Sequence, residues 1–282
     1  MTVSQHMVQA NGLRFRTMVD GPADGEMAIL LHGFPEGAES WSKQVEAIAK
    51  AGRLAVAPDM RGYGLTDAPP RVEDYTMDHL VDDVAALIKT FGRDRAHVAG
   101  HDWGAIVAWF FAGAHPGMTE TLTVLSVGHP AALAEAAADE DQRERSRYIE
   151  LFLVEGKAES VLADDDYRRL RAMLSSGIPS ATVEHFVRSA SRPGRLTAGL
   201  NYYRANLGGA GWRSMAQNIR VEAPTVLLWG DQDPALGRLQ AEKTAEHMQG
   251  EYRLEVLEGA GHWLQFERPD EVGRTLVDAI TK

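Results

Sequence analysis

The chain has 282 residues, of which 44% are hydrophobic and 24% charged, with no cysteine. These proportions belong to a globular protein and exclude a disordered, coiled-coil or fibrous chain, while the missing cysteine excludes disulfides, thiolate nucleophiles and Cys-ligated metals. Lys and Arg number 29 against 40 Asp and Glu, and the net charge of −11 repels nucleic acid and anionic membranes.

The first segment, MTVSQHMVQANGLRFRTMVD, has no apolar core behind a basic end, so no secretory peptide is expected. Within it, Met7 to Met18 carries Asn11-Gly12 between extended stretches, which predicts a hairpin at a sheet edge. Met27 to Leu31 and Leu54 to Ala57 are short apolar runs bounded by turn residues and predict buried strands. Met77 to Phe91 places Leu80, Val84, Leu87 and Ile88 on one helical face. His97 to Ala99 and Leu122 to Val127 again predict strands. The longest apolar run, Gly104 to Ala114, is too short to span a membrane, and a cytoplasmic protein is expected.

From Ala131 to about Gln217 the rhythm changes, with only helical patterns, the first an Ala-rich helix over Ala131 to Arg145. Strand patterns return at Thr225 to Trp229 and Glu255 to Leu257, and a helix follows from Pro269. The alternation predicts an α/β fold with a mostly parallel central sheet flanked by helices. The expected division is a core over 1–130 and 218–282, with a helical cap over 131–217 across the sheet's carboxyl edge, where α/β proteins bind ligands.

Four motifs stand at predicted strand ends. Gly100-His101-Asp102-Trp103-Gly104 joins a strand to a helix as Gly-x-nucleophile-x-Gly, a turn so sharp that the flanking positions need glycine. Asp102 is then the exposed central residue. His262, in Gly259-Ala260-Gly261-His262-Trp263, can reach it from another strand. Trp229-Gly230-Asp231-Gln232-Asp233-Pro234 offers two carboxylates to orient that histidine; Asp233 is favoured, with Asp231 shaping the loop. His32-Gly33-Phe34-Pro35 can aim the Phe34 N–H at the elbow, where it pairs with the Trp103 N–H as an oxyanion hole. The chain order of nucleophile, acid and histidine is that of the α/β-hydrolases. A carboxylate suits displacement at saturated carbon, giving an ester that His262 can clear by activating water.

Through these motifs, together with His32 to Glu36 and Pro58-Asp59-Met60-Arg61-Gly62-Tyr63-Gly64, the chain resembles the α/β-hydrolase superfamily over nearly its full length. It is most similar to the Asp-nucleophile branch of epoxide hydrolases and haloalkane dehalogenases. The resemblance implies an α/β-hydrolase fold with a helical cap and a cofactor-free, metal-free hydrolase. Leu200-Asn201-Tyr202-Tyr203-Arg204 resembles an epoxide-hydrolase motif whose tyrosine falls on Tyr203, and the second family tyrosine falls on Tyr148. Both would polarise the epoxide oxygen. Adjacent helical residues point about 100° apart, so Tyr202 and Tyr203 cannot both face the nucleophile. The alternative, a haloalkane dehalogenase, is weaker because Phe34 stands where many such enzymes have a halide-binding Asn. Trp103 and Ile106 also replace the arginines that hold haloacids. A non-catalytic relative would be expected to have lost part of the Asp102–Asp233–His262 set, and no Ser occupies an elbow for an esterase. The expectation is an epoxide hydrolase that converts a small lipophilic epoxide to a vicinal diol. Oligomeric state, a homo-oligomer included, is left open.

Overall fold

The computed structural model describes residues 3–174, 177–208 and 211–281. Eight strands form one sheet: β1 (Ser4–Ala10), β2 (Leu13–Asp20), β3 (Met27–Leu31), β4 (Leu54–Pro58), β5 (Ala96–His101), β6 (Thr119–Leu125), β7 (Thr225–Gly230) and β8 (Tyr252–Leu257). Their order is β1-β2-β4-β3-β5-β6-β7-β8, with β2 antiparallel to both neighbours and every other pairing parallel. This is the mostly parallel sheet that the strand pattern predicts and the α/β-hydrolase architecture that the resemblance implies.

The hairpin forms because Asn11 and Gly12 both take positive φ, 45° and 75°, as a tight two-residue turn between right-twisted strands requires. Ala10 pairs with Leu13 across that turn. In β3 successive residues alternate between the two cores: Met27, Ile29 and Leu31 face one, Ala28 and Leu30 the other. Both faces are covered, which is why the strand reads as an unbroken apolar run. Helices α1 (Ser42–Lys50), α2 (Met77–Thr90) and α3 (Trp103–Ala114) flank the sheet in its first half. The predicted face of α2, Leu80, Val84, Leu87 and Ile88, is buried.

Between β6 and β7 the described residues form only helices: α4 (Pro130–Ala136), α5 (Glu140–Arg145), α6 (Tyr148–Phe152), α7 (Lys157–Leu174), α8 (Ser180–Ala190), α9 (Arg195–Leu207) and α10 (Gly211–Gln217). One sequence expectation is corrected here. Ala131 to Arg145 is two helices, because Asp139 takes extended backbone and its carboxylate accepts from the Asp141 and Gln142 N–H groups, starting α5 afresh. After β7 come α11 (Arg238–Lys243), β8, α12 (Leu264–Glu267) and α13 (Pro269–Thr281). No helix among the described residues is long and apolar enough to cross a membrane.

Loops at the carboxyl ends of the strands are tied by buried ion pairs and shared acceptors. Asp59 collects Ala38 N–H at 2.9 Å, Leu65 N–H at 3.0 Å and Arg16 Nη1 at 3.2 Å. Arg61 binds Asp83 through Nη2 at 2.6 Å and Nε at 2.7 Å, fastening the loop after β4 to α2. These loops surround the site described next.

Candidate active site

Asp102 lies between β5 and α3 with φ 51° and ψ −120°, a conformation few L-residues adopt and one that lifts its side chain off the sheet. The flanking glycines permit the turn: a Cβ on Gly100 would meet Gly104 O at 2.3 Å, and one on Gly104 would meet Leu31 O at 2.0 Å. From the loop after β3, the Phe34 N–H donates to Asp102 Oδ1 at 2.8 Å. That loop is itself fixed by His32, whose Nε2 accepts from Met60 N–H at 2.9 Å while Nδ1 donates to Gly33 O at 2.9 Å.

His262 stands in the loop after β8. Its Nδ1 lies 2.7 Å from Asp233 Oδ2, and its Nε2 is 3.7 Å from Asp102 Oδ2. The Asp233 bond places the hydrogen on Nδ1 and turns Nε2 toward Asp102. Burial alone would favour neutral imidazole, but the Asp233 charge and hydrogen bond, with the nearby Asp102 carboxylate, hold the His262 pKa well above its ordinary value. Burial pushes the Asp102 carboxyl up, and His262 with the Phe34 N–H outweighs it, so Asp102 stays below the usual range. Asp231, the other candidate acid, accepts from Gly259 N–H at 2.7 Å and so joins the β7 and β8 loops without touching His262.

Asp102 and His262 open onto a cavity of about 260 Å³, lined also by Phe34, Tyr148, Tyr203 and Trp263. Tyr148 comes from α6 and Tyr203 from α9, and their rings pack edge-on with centroids 6.4 Å apart. Burial, and behind it the Asp102 charge, raises the pKa of both, so each remains a protonated donor. The Tyr203 ring packs edge-on against Trp103 at 5.0 Å. Tyr202 points elsewhere and donates to Arg61 O at 2.8 Å.

A second layer was not foreseen from sequence. His101 Nε2 lies 2.9 Å from the His262 carbonyl oxygen, which Ser126 Oγ also reaches at 2.8 Å. A carbonyl only accepts, so His101 Nε2 carries a hydrogen. His101 Nδ1 is 2.7 Å from Glu36 Oε1, and both side chains are fully buried. Burial pushes the Glu36 pKa up, but the neighbouring His101 more than offsets this, so Glu36 stays a carboxylate. Gln265 Nε2 donates to Glu36 Oε2 at 3.0 Å. Glu36 and His101 both sit inside motifs visible in the sequence, but nothing in the sequence pairs them.

Among the described residues, no group of three or more His, Cys, Asp or Glu is arranged to hold a metal ion.

A family model described as the alpha/beta hydrolase fold matches residues 29–269. Epoxide hydrolase 3 of Xenopus tropicalis is 36% identical to the chain over 96% of it and 75% of the relative. Epoxide hydrolase A of Mycobacterium tuberculosis is 33% identical over 99% of the chain and 97% of the relative. The crystal structure of Epoxide Hydrolase A from Mycobacterium thermoresistibile superposes with a TM-score of 0.84 at 31% identity, covering 99% of this chain and 98% of that one.

Proposed function

The chain belongs to the α/β-hydrolase family, and from that premise we propose that it is an epoxide hydrolase working through an ester on Asp102. The observation that carries the reading is the aspartate at the strained elbow, facing a cavity that two protonated tyrosines also line, Tyr203 buried and Tyr148 partly so. Such donors suit an epoxide oxygen, which leaves as a strongly basic alkoxide, and they have no comparable task with halide.

In this reading an Asp102 oxygen attacks an epoxide carbon and the C–O bond breaks. The ring oxygen takes a proton from Tyr148 or Tyr203. The product is a hydroxyalkyl ester of Asp102 and a tyrosinate. Forming the ester also removes one of the two negative charges beside His262, so the His262 pKa falls and its proton becomes available to restore the tyrosine. Neutral His262, held through Nδ1 by Asp233, then takes a proton from water at Nε2. The hydroxide adds to the ester carbonyl, and the Phe34 and Trp103 N–H groups stabilise the tetrahedral oxyanion. Collapse expels the second diol oxygen, which His262 protonates, and Asp102 is left carrying one oxygen from water. The helices between β6 and β7 act as a cap over the cavity, supplying both tyrosines. The apolar lining of Phe34, Met173 and Trp263 suits a small lipophilic epoxide.

The test is intact mass spectrometry of His262→Gln after incubation with styrene oxide and, separately, 1-bromobutane. A gain equal to the whole epoxide, absent in Asp102→Asn, is expected. A butyl gain from the bromide would favour the dehalogenase chemistry instead, and no gain with either would overturn the scheme.

A further inference from the structure

Three backbone groups in the loop that carries Asp233 are held by side chains of α5, not by the sheet. Arg145 Nη1 donates to the Asp233 carbonyl oxygen at 2.5 Å. Gln142 Nε2 donates to Ala235 O at 3.2 Å, and Gln142 Oε1 accepts from Gly237 N–H at 2.7 Å. Gln142 is 2% exposed and completes its amide with Ser146 Oγ at 2.7 Å and Gln240 Nε2 at 3.3 Å. Every hydrogen-bonding position of that amide is therefore filled. Arg145 is steadied in turn by Asp141, whose Oδ2 accepts from Nε at 2.7 Å.

The loop's backbone also fixes the carboxylate. Asp233 Oδ1 accepts from Ala235 N–H at 2.8 Å and Leu236 N–H at 3.0 Å, which leaves Oδ2 for His262. The segment gripped by α5 is thus the one whose amides orient the acid. A shift of the loop turns Oδ2 away from Nδ1.

We propose that Gln142 and Arg145 are positioning residues for the reaction, through which helix α5 sets the alignment of Asp233 with His262 and thereby the rate of the water-activating step. The proposal rests on the reading above in which Asp233 is the partner of His262. It gives the helical segment a task beyond covering the cavity: α5 aligns the base, and α6, three residues on, carries Tyr148. Ring opening depends on Asp102 and the tyrosines and is left untouched by this contact.

The groups facing His262 are the Asp102 and Asp233 carboxylates, the His101 ring at 4.8 Å with Glu36 behind it, and the Trp263 ring at 4.9 Å. Arg145 lines the same cavity, so removing its charge would by itself raise the His262 pKa, opposite to the effect of a loosened Asp233. The informative substitutions therefore keep the charge constant: Gln142→Leu, and Arg145→Lys, which keeps the cation and loses the fork.

The experiment pairs an NMR titration of His262 in histidine-labelled protein with rapid-quench intact mass of a single turnover of styrene oxide. Both variants are expected to lower the His262 pKa by about one unit. Ester formation should stay within about twofold of wild type while ester decay slows ~10- to 100-fold. Glu144→Ala, on the exposed side of α5, should match wild type in every readout. If Gln142→Leu does not fold, Arg145→Lys decides alone, since its side chain is partly exposed. A folded variant that titrates and clears ester like wild type would overturn the proposal. Wild-type protein that forms no ester would sink the epoxide reading, while the titration would still judge the α5 contact.

Discussion

In the proposed mechanism Tyr148 and Tyr203 share one task from different helices, and their placement predicts how they divide it. Their rings pack edge-on, and both hydroxyls are kept protonated by burial and, behind it, by neighbouring groups that include the Asp102 charge. Tyr148→Phe or Tyr203→Phe should each slow ester formation ~10- to 100-fold, because the remaining hydroxyl still meets the ring oxygen. The double variant should lose on the order of 10³-fold or more, with decay of any preformed ester nearly unchanged. Rapid-quench mass spectrometry separates the two steps; a double variant no worse than either single would show that only one hydroxyl matters. The Asp102 elbow was legible in the sequence because its requirement is local: a strand, two small residues and a helix within one short run. Glu36 and His101 were not, because they lie 65 residues apart and only the fold makes them neighbours. Gln142 and Arg145 gave no signal either. On a helix rich in charge they read as a solvated face, and only the Asp233 loop packed against them gives them partners.

Between elements, one contact ties the helical segment to the sheet in a pH-dependent way. Glu39, in the 3-10 turn Ala38–Trp41, binds Arg16 of β2 at 2.6 Å and His185 of α8 at 3.4 Å. Asp59 and Arg188 complete the charges around it. Burial works against the Glu39 charge, but His185 and Arg16 lower its pKa from 4.5 to about 2. The Glu39 contact raises the His185 pKa in return. A lowered carboxylate stabilises the fold above its unfolded value of 4.5, and that contribution fades as pH falls toward about 2. A raised histidine contributes below its unfolded value of 6.5 and loses that contribution as pH rises through its folded value. The tie is therefore strongest in mildly acidic solution. Glu39→Gln should cost about 1–3 kcal/mol near pH 5–6 by urea denaturation, with the gap closing as pH drops below 4.5. A constant gap across that range would refute the linkage. Element boundaries were read well where a local device set them, as Asn11-Gly12 set the hairpin. They failed at Ala131 to Arg145, where alanine propensity concealed the Asp139 cap.

Over the whole molecule, the helices between β6 and β7 bury what would otherwise be an apolar opening at the sheet's carboxyl edge. Phe34, Tyr63 and Trp103 lie under Tyr202, Tyr203 and Phe152 and are nearly inaccessible. Uncovering a side chain of that size costs about 1.5–3 kcal/mol. A chain in which 131–217 is replaced by a short Gly-Ser linker should therefore aggregate or lose near-ultraviolet dichroism, and a soluble, native-like monomer would contradict this. The sheet and the helical excursion were readable as a change of periodicity. Which helix faces touch the core was not: α5, Glu140–Arg145, has no apolar residue to mark its packed side, yet Gln142 is buried.

The cavity draws Phe34 and Asp102 from before the helical segment and His262 and Trp263 from after β8. Under the proposed mechanism, the ribosome thus releases the nucleophile long before the base that would clear an ester from it. A nascent chain able to react at that stage would be permanently alkylated. What spares it is that Tyr203 and Trp263, which wall the cavity, are also made late. Under that mechanism the same late residues complete both the cavity wall and the base, so the capacity to be alkylated by substrate arrives together with the means to recover from it.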